Sequence, residues 1–170
     1  ENQESILDAD AQHMYRGGKV ITTPAFQRPI KPSDLDHHVS GSSGMYTINL
    51  SGRYYVTQDL RPSPTNNNSY VIHITSSNVN LDLNNKTIVR NQDGSTGTGT
   101  TGVFVASNLY NIQILDGIIQ GTNNHPTTQY IGTGVTISSG CRLVTLENVK
   151  VNQCNVAGIT ATSTKNLTIS

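Results

Sequence analysis

The chain has 170 residues, and 11 Lys and Arg are balanced by 11 Asp and Glu, so its formal net charge is zero. That balance suits neither a basic nucleic-acid-binding module nor an acidic solvating tail. Leu, Ile, Val and Phe number 41, enough for a folded core, while Asn, Thr and Ser number 55 and only 13% of residues are charged, a composition that predicts strands joined by tight polar turns.

Taken in chain order, residues 3–16 fit an amphipathic helix with Leu7, Ala11 and Met14 on one stripe and Gly17-Gly18 as its C-cap. Such a helix would cover the open strand edges at the end of a stack of strands. Pro24, Pro29 and Pro32 then mark a linker, and residues 1–45 are expected to be this N-terminal cap plus the linker. Inside it, Asp34, Asp36, His37 and His38 are the densest group of metal-capable side chains. Adjacent histidines in an extended segment point to opposite sides and no third imidazole is near, so no metal site is expected. Residues 45–50 and 51–56, two short strand-like runs meeting at Ser51-Gly52, predict a hairpin-like start to the repeats.

From there to the C-terminus the sequence repeats itself. Ile72-His73-Ile74, Val103-Phe104-Val105, Val135-Thr136-Ile137 and Ile159-Thr160-Ala161 are equivalent first strands, each with two apolar residues on one face. A second alternating pair follows at Leu81 and Leu83, Ile112 and Ile114, Val144 and Leu146, and Leu167 and Ile169, and in the first three units the pairs of both strands, Ile72 and Ile74 to Val144 and Leu146, are the twelve residues expected to face inward. A third short apolar element comes at Ile88-Val89, Ile118-Ile119 and Val149-Lys150-Val151. The turns repeat too: Ser76, Ser107, Ser139 and Ser163 follow the first strands, and Asn85, Asp116 and Asn148 follow the second. Recurring short polar side chains at a bend predict ladders between stacked layers. The strand pattern at Leu167-Thr168-Ile169 leads to the expectation that such layers continue past Ser170. Two cysteines, Cys141 and Cys154, are expected as buried free thiols, and no apolar run approaches the roughly 20 residues of a membrane span.

The run from Gly158-Ile159-Thr160-Ala161 to Leu167-Thr168-Ile169, with Asn78-Val79-Asn80-Leu81-Asp82-Leu83-Asn84-Asn85, resembles the right-handed parallel β-helix repeat of the pectin-lyase-like family. The resemblance covers residues 46–170. It implies an all-β fold, a solenoid of three-stranded coils, in a protein that is secreted, periplasmic or surface-exposed, virion fibres included. It does not choose among the activities such folds carry, which include polysaccharide lyases, glycoside hydrolases, uronan epimerases, tailspikes and adhesins.

A lyase of this kind holds calcium with several carboxylates, and a hydrolase sets two or three carboxylates around the scissile bond. Aligning the repeats puts Asp82, Gln113, Thr145 and Thr168 outward on the second strand, and His73, Phe104, Thr136 and Thr160 outward on the first: one carboxylate in eight positions. The reading that follows is a non-catalytic or scaffold domain contacting carbohydrate, with no cofactor, no nucleic acid and no membrane span. One alternative is a polysaccharide lyase or glycoside hydrolase completed by coils beyond the chain, with calcium in the lyase case. The other is a structural fibre or tailspike component that associates end to end or as a trimer. The candidate contact residues are Tyr110, Arg142 and Lys165, which the repeat alignment stacks at one turn as an aromatic ring beside two cations.

Overall fold

The computed structural model describes residues 13–16, 19–22, 27–37, 44–63, 69–89, 100–121 and 131–170. Its strands are β1 (His13–Arg16), β2 (Lys19–Thr22), β3 (Gln27–Ile30), β4 (Gly44–Ile48), β5 (Gly52–Val56), β6 (Tyr70–Ile74), β7 (Val79–Val89), β8 (Thr100–Val105), β9 (Tyr110–Gln120), β10 (Ile131–Ile137), β11 (Arg142–Asn152), β12 (Ala157–Ala161) and β13 (Lys165–Ile169). The only helix among the described residues is one 3-10 turn, Pro32–Asp34, so the fold is all-β.

From β3 onward the strands alternate between two sheets. One has the order β12-β10-β8-β6-β4, the other β13-β11-β9-β7-β5-β3, and every pairing in both is parallel. Spatial order follows sequence order, which is what a chain does when it returns to a sheet one strand further along each time. In the first sheet Ile72 pairs with Val103, Val103 with Val135 and Val135 with Ile159, the equivalence expected from the repeat. Parallel strands bury both rows of backbone bonds, and alternation then sends one apolar set to a common core. All twelve residues expected to face inward, Ile72, Ile74, Leu81, Leu83, Val103, Val105, Ile112, Ile114, Val135, Ile137, Val144 and Leu146, are buried.

The third short strand is not separate. In β7, β9 and β11 it continues the second as one 11-residue strand, bent where Asn84 and Asn85, Asp116 and Asn148 take left-handed backbone angles (φ between 50° and 56°). Asn and Asp enter that region at less cost than other side chains. Asn148 Nδ2 donates to Asp116 Oδ1 at 3.1 Å, so these two do form a ladder, an exposed one between side chains rather than to backbone. Asn148→Ala should therefore cost about 1 kcal/mol, mostly for holding in the left-handed region a residue that has a Cβ but no local polar group, whereas Asn148→Gly should cost less. Urea melts of the two variants check this; equal losses would assign the effect to the side-chain bond.

One register differs from the repeat alignment. Leu81 pairs with Ile114, not Ile112, and Val79 takes the place opposite Ile112. The turn from Ile74 to Val79 is two residues shorter than the turn from Val105 to Ile112. A slip of two keeps every side chain on its face, so the buried set is unchanged. The missing two residues reappear as a bulge between Asp82 and Lys86, where Leu83, Asn84 and Asn85 oppose Asp116 alone.

Two N-terminal expectations are corrected. Residues 13–16 are not the end of a helix: β1 pairs antiparallel with β2, Arg16 opposite Lys19. Tyr, Val, Ile and Thr around a Gly-Gly dipeptide form a hairpin pattern, and here β propensity prevails over the helical spacing of Leu7, Ala11 and Met14. Residues 3–12 lie outside the described residues. Nor do β4 and β5 form a hairpin, since β4 pairs with β6 and β5 with β3 and β7. The segment between them carries the chain from one sheet to the other, and Arg28 fixes it: Nη1 donates to Ser51 O at 2.7 Å and to Tyr54 Oη, whose hydroxyl donates to Leu50 O. The six-stranded sheet begins at β3, within the Pro-containing stretch, and Pro29 sits in that edge strand where its missing donor costs no ladder bond. Both cysteines are free; Cys141 is buried and Cys154 half-buried, with burial raising the Cys154 pKa.

Candidate functional site

The strands of the six-stranded sheet begin at a common edge, and what stands there is set by the turn before each. Tyr110 pairs with Arg142 and Arg142 with Lys165, so the three expected contact residues do occupy adjacent strands in one register. All three are exposed. Parallel neighbours lie about 4.8 Å apart, which sets the two cations one strand apart and the tyrosine ring one strand further. Their sequence neighbours, Leu109, Asn111, Cys141, Leu143, Thr164 and Asn166, are all uncharged. The edge therefore carries a local charge of two on a chain whose net charge is zero.

The residue after each of these is left-handed: Asn111 (φ 55°), Leu143 (φ 53°) and Asn166 (φ 56°), with Asn78 (φ 57°) one strand earlier. Asn111 Nδ2 donates to Asn78 Oδ1 at 3.0 Å. A left-handed residue directly after the strand's first residue keeps successive side chains from alternating strictly, which is why Arg142 and Leu143 are both exposed. The repeat alignment brought Tyr110, Arg142 and Lys165 together and contained no sign that the residue after each was conformationally special, apart from the recurring asparagine.

The other outward rows give different answers. On the first sheet Thr47, His73, Phe104, Thr136 and Thr160 form one row. Thr160 Oγ1 donates to Thr136 Oγ1 at 3.1 Å. The Phe104 ring stacks on Tyr70 at 3.9 Å, and His73 meets both rings edge-on at 5.1 Å and 5.3 Å. Burial holds the His73 pKa below its usual value, so the ring is neutral at neutral pH. Strict alternation would send Tyr70 inward with Ile72. The consecutive buried pair Val71-Ile72 breaks the alternation, and that pair is the sequence signal for the cluster. Tyr70 and Phe104 each spend one ring face on the other, and all three residues of the cluster are half-buried.

Asp82 does not stand beside Gln113 as aligned. The register slip puts Asn80 there, its Nδ2 donating to Gln113 Oε1 at 2.6 Å, and moves Asp82 into a row with Tyr55, Leu115 and Glu147. Asp82 Oδ1 accepts from the Asn84 backbone at 2.6 Å, a bond that holds the bulge. Leu115 separates it from Glu147 by two strands.

In the N-terminal cluster Asp34 Oδ2 accepts from the Lys31 backbone and closes the 3-10 turn, and His37 Nδ1 accepts from the Ser63 backbone at 3.0 Å. No three His, Cys, Asp or Glu side chains among the described residues are grouped to hold a metal ion, and none of their helices is long and apolar enough to cross a membrane. His38 lies outside the described residues.

No protein-family model matches the chain, and no curated protein or solved structure does.

An exposed aromatic ring with an arginine and a lysine on successive strands can stack a sugar ring and meet carboxylates or sulfates further along the same polymer. Each such contact is worth about 1 kcal/mol because solvent screens it.

Proposed function

We propose that this chain is a right-handed parallel β-helix of the pectin-lyase-like type that acts as a non-catalytic scaffold in a secreted or surface-exposed protein and contacts an acidic polysaccharide through Tyr110, Arg142 and Lys165. Support for the solenoid comes from the alternation of successive strands between two parallel sheets, and from the strong right-hand preference of parallel crossover connections. The observation that carries the binding reading is the register Tyr110–Arg142–Lys165 on adjacent, exposed strand starts. An extended polysaccharide repeats at a length comparable to the strand spacing of about 4.8 Å, so consecutive sugars can address consecutive strands. Scaffold is preferred to enzyme because Asp82 is engaged by the Asn84 backbone and Leu115 stands between it and Glu147.

Titrating the protein with a uronate tetrasaccharide while following backbone amide shifts tests the reading. Shifts should centre on Tyr110, Arg142 and Lys165, with affinity weak and falling as salt is raised. Arg142→Gln should weaken binding about fivefold without changing the unfolding midpoint, since the side chain is exposed. Shifts elsewhere with Arg142 unaffected would make this row ordinary surface. Release of unsaturated or reducing ends from the same saccharide, abolished by Asp82→Asn, would replace the scaffold reading with an enzymatic one.

A further inference from the structure

Leu143 stands where the fold asks for asparagine. Its row is Asn78, Asn111, Leu143 and Asn166, all left-handed, and the other three members are the residue type that tolerates that conformation. The asparagine ladder that joins Asn78 to Asn111 stops at Leu143, which offers no amide to continue it. Burial supplies no compensation, because the side chain is 55% exposed and lies outside the apolar core. A leucine that is unfavourable in its backbone, breaks a hydrogen-bonded row and stays more than half exposed gains little from the fold at this position, and strained residues of this kind concentrate at binding surfaces.

Its neighbours say what it would meet. Leu143 follows Arg142 directly, and Arg142 lies between Tyr110, itself 51% exposed, and Lys165. An isobutyl group beside two cations and a phenol matches a ligand that carries negative charge and a small apolar substituent on the same sugar. We infer that Leu143 is the specificity-determining residue of this edge, reading an apolar substituent such as an O-acetyl group on an acidic oligosaccharide whose carboxylates meet Arg142 and Lys165. This rests on the edge being a carbohydrate surface, as proposed above. Asparagine at the same place would favour the unsubstituted sugar, whose hydroxyl it could hydrogen-bond.

The test compares two probes, a uronate tetrasaccharide and its O-acetylated form, against the wild-type protein, Leu143→Asn and Leu143→Ala. Burying one methyl group is worth roughly a factor of four in affinity, so the wild type should bind the acetylated probe about three to five times more tightly. Leu143→Asn should raise the unfolding midpoint in urea, bind the unmodified probe at least as tightly as the wild type does, and lose the preference for the acetylated one. Leu143→Ala, which keeps the backbone problem but shortens the side chain, should also lose the preference without the gain in stability. Equal affinity of the wild type for both probes, or a preference that survives in both variants, overturns the role of Leu143 and leaves the acidic-polysaccharide reading standing. Absence of shifts at Arg142 and Lys165 with either probe overturns both.

Discussion

Gly134→Ala should destabilise the protein by about 2 to 3 kcal/mol, while Gly158→Ala, in the same row one strand further along, should be tolerated. Gly102, Gly134 and Gly158 precede the paired residues Val103, Val135 and Ile159 and so form a row of their own. A Cβ on Gly134 would collide with Val151 Cγ1 and lie 2.6 Å from the carbonyl oxygen of Gly158. The first obstacle belongs to a β-branched side chain with little rotamer freedom, and the second to backbone held by the ladder between β10 and β12. Neither can give way cheaply, and overpacking of this kind costs 1 to 3 kcal/mol. A Cβ on Gly158 meets nothing nearer than Val151 Cγ1 at 3.7 Å. Urea denaturation of the two variants checks the contrast. If both are tolerated equally, the strands do not approach as closely as the row requires; if both fail, the glycines serve conformation and not clearance.

That row shows what the sequence made legible and what it did not. Apolar alternation at Ile72 and Ile74, Val103 and Val105, and Val135 and Ile137 announced strands and identified the buried face, because a two-residue period has only one physical realisation. The strand order followed from the repeat. The merging of the second and third strands was less visible, since a left-handed Asp116 or Asn148 bends a strand and interrupts its apolar pattern without ending its hydrogen-bonded ladder. The slip of Leu81 against Ile114 was hidden for a related reason: a shift of two residues changes no side chain's face, so the pattern reads equally well in either register. It matters for function because it decides whether Asp82 stands beside Gln113 or beside Leu115. The first turn misled in another way. Residues 45–56 read as two short strands joined at Ser51-Gly52, and that pattern does not say whether a short turn reverses the chain within one sheet or carries it to the next. At the candidate edge, Tyr110, Arg142 and Lys165 could be aligned from their distance to the serine turns, whereas the left-handed state of Leu143 has no signature in a single residue and emerged only beside Asn111 and Asn166.

The largest loss is expected at Ile114, where Ile114→Ala should cost about 3 to 5 kcal/mol. Leu81, Ile114, Leu146 and Ile169 form one ladder through β7, β9, β11 and β13. Leu81 and Ile114 are fully buried and Leu146 is 1% exposed, but Ile169, on the edge strand, is 55% exposed. Chemically similar truncations along a single row thus sample burial alone. At Ile114 the lost side-chain atoms leave a cavity walled by paired strands on both sides, and parallel ladders allow little collapse. At Ile169 solvent fills the space and the cost should stay below about 1 kcal/mol, with Leu146→Ala close to Ile114→Ala. In a repeat array each unit contacts mainly its neighbours, so the damage at Ile114 should appear first in hydrogen exchange at the amides of β7, β9 and β11 and only weakly in β3. Urea melts give the magnitudes and exchange gives the location. Equal costs at Ile114 and Ile169 would mean that the edge strand is covered in solution by something that buries Ile169 as completely as β11 buries Ile114.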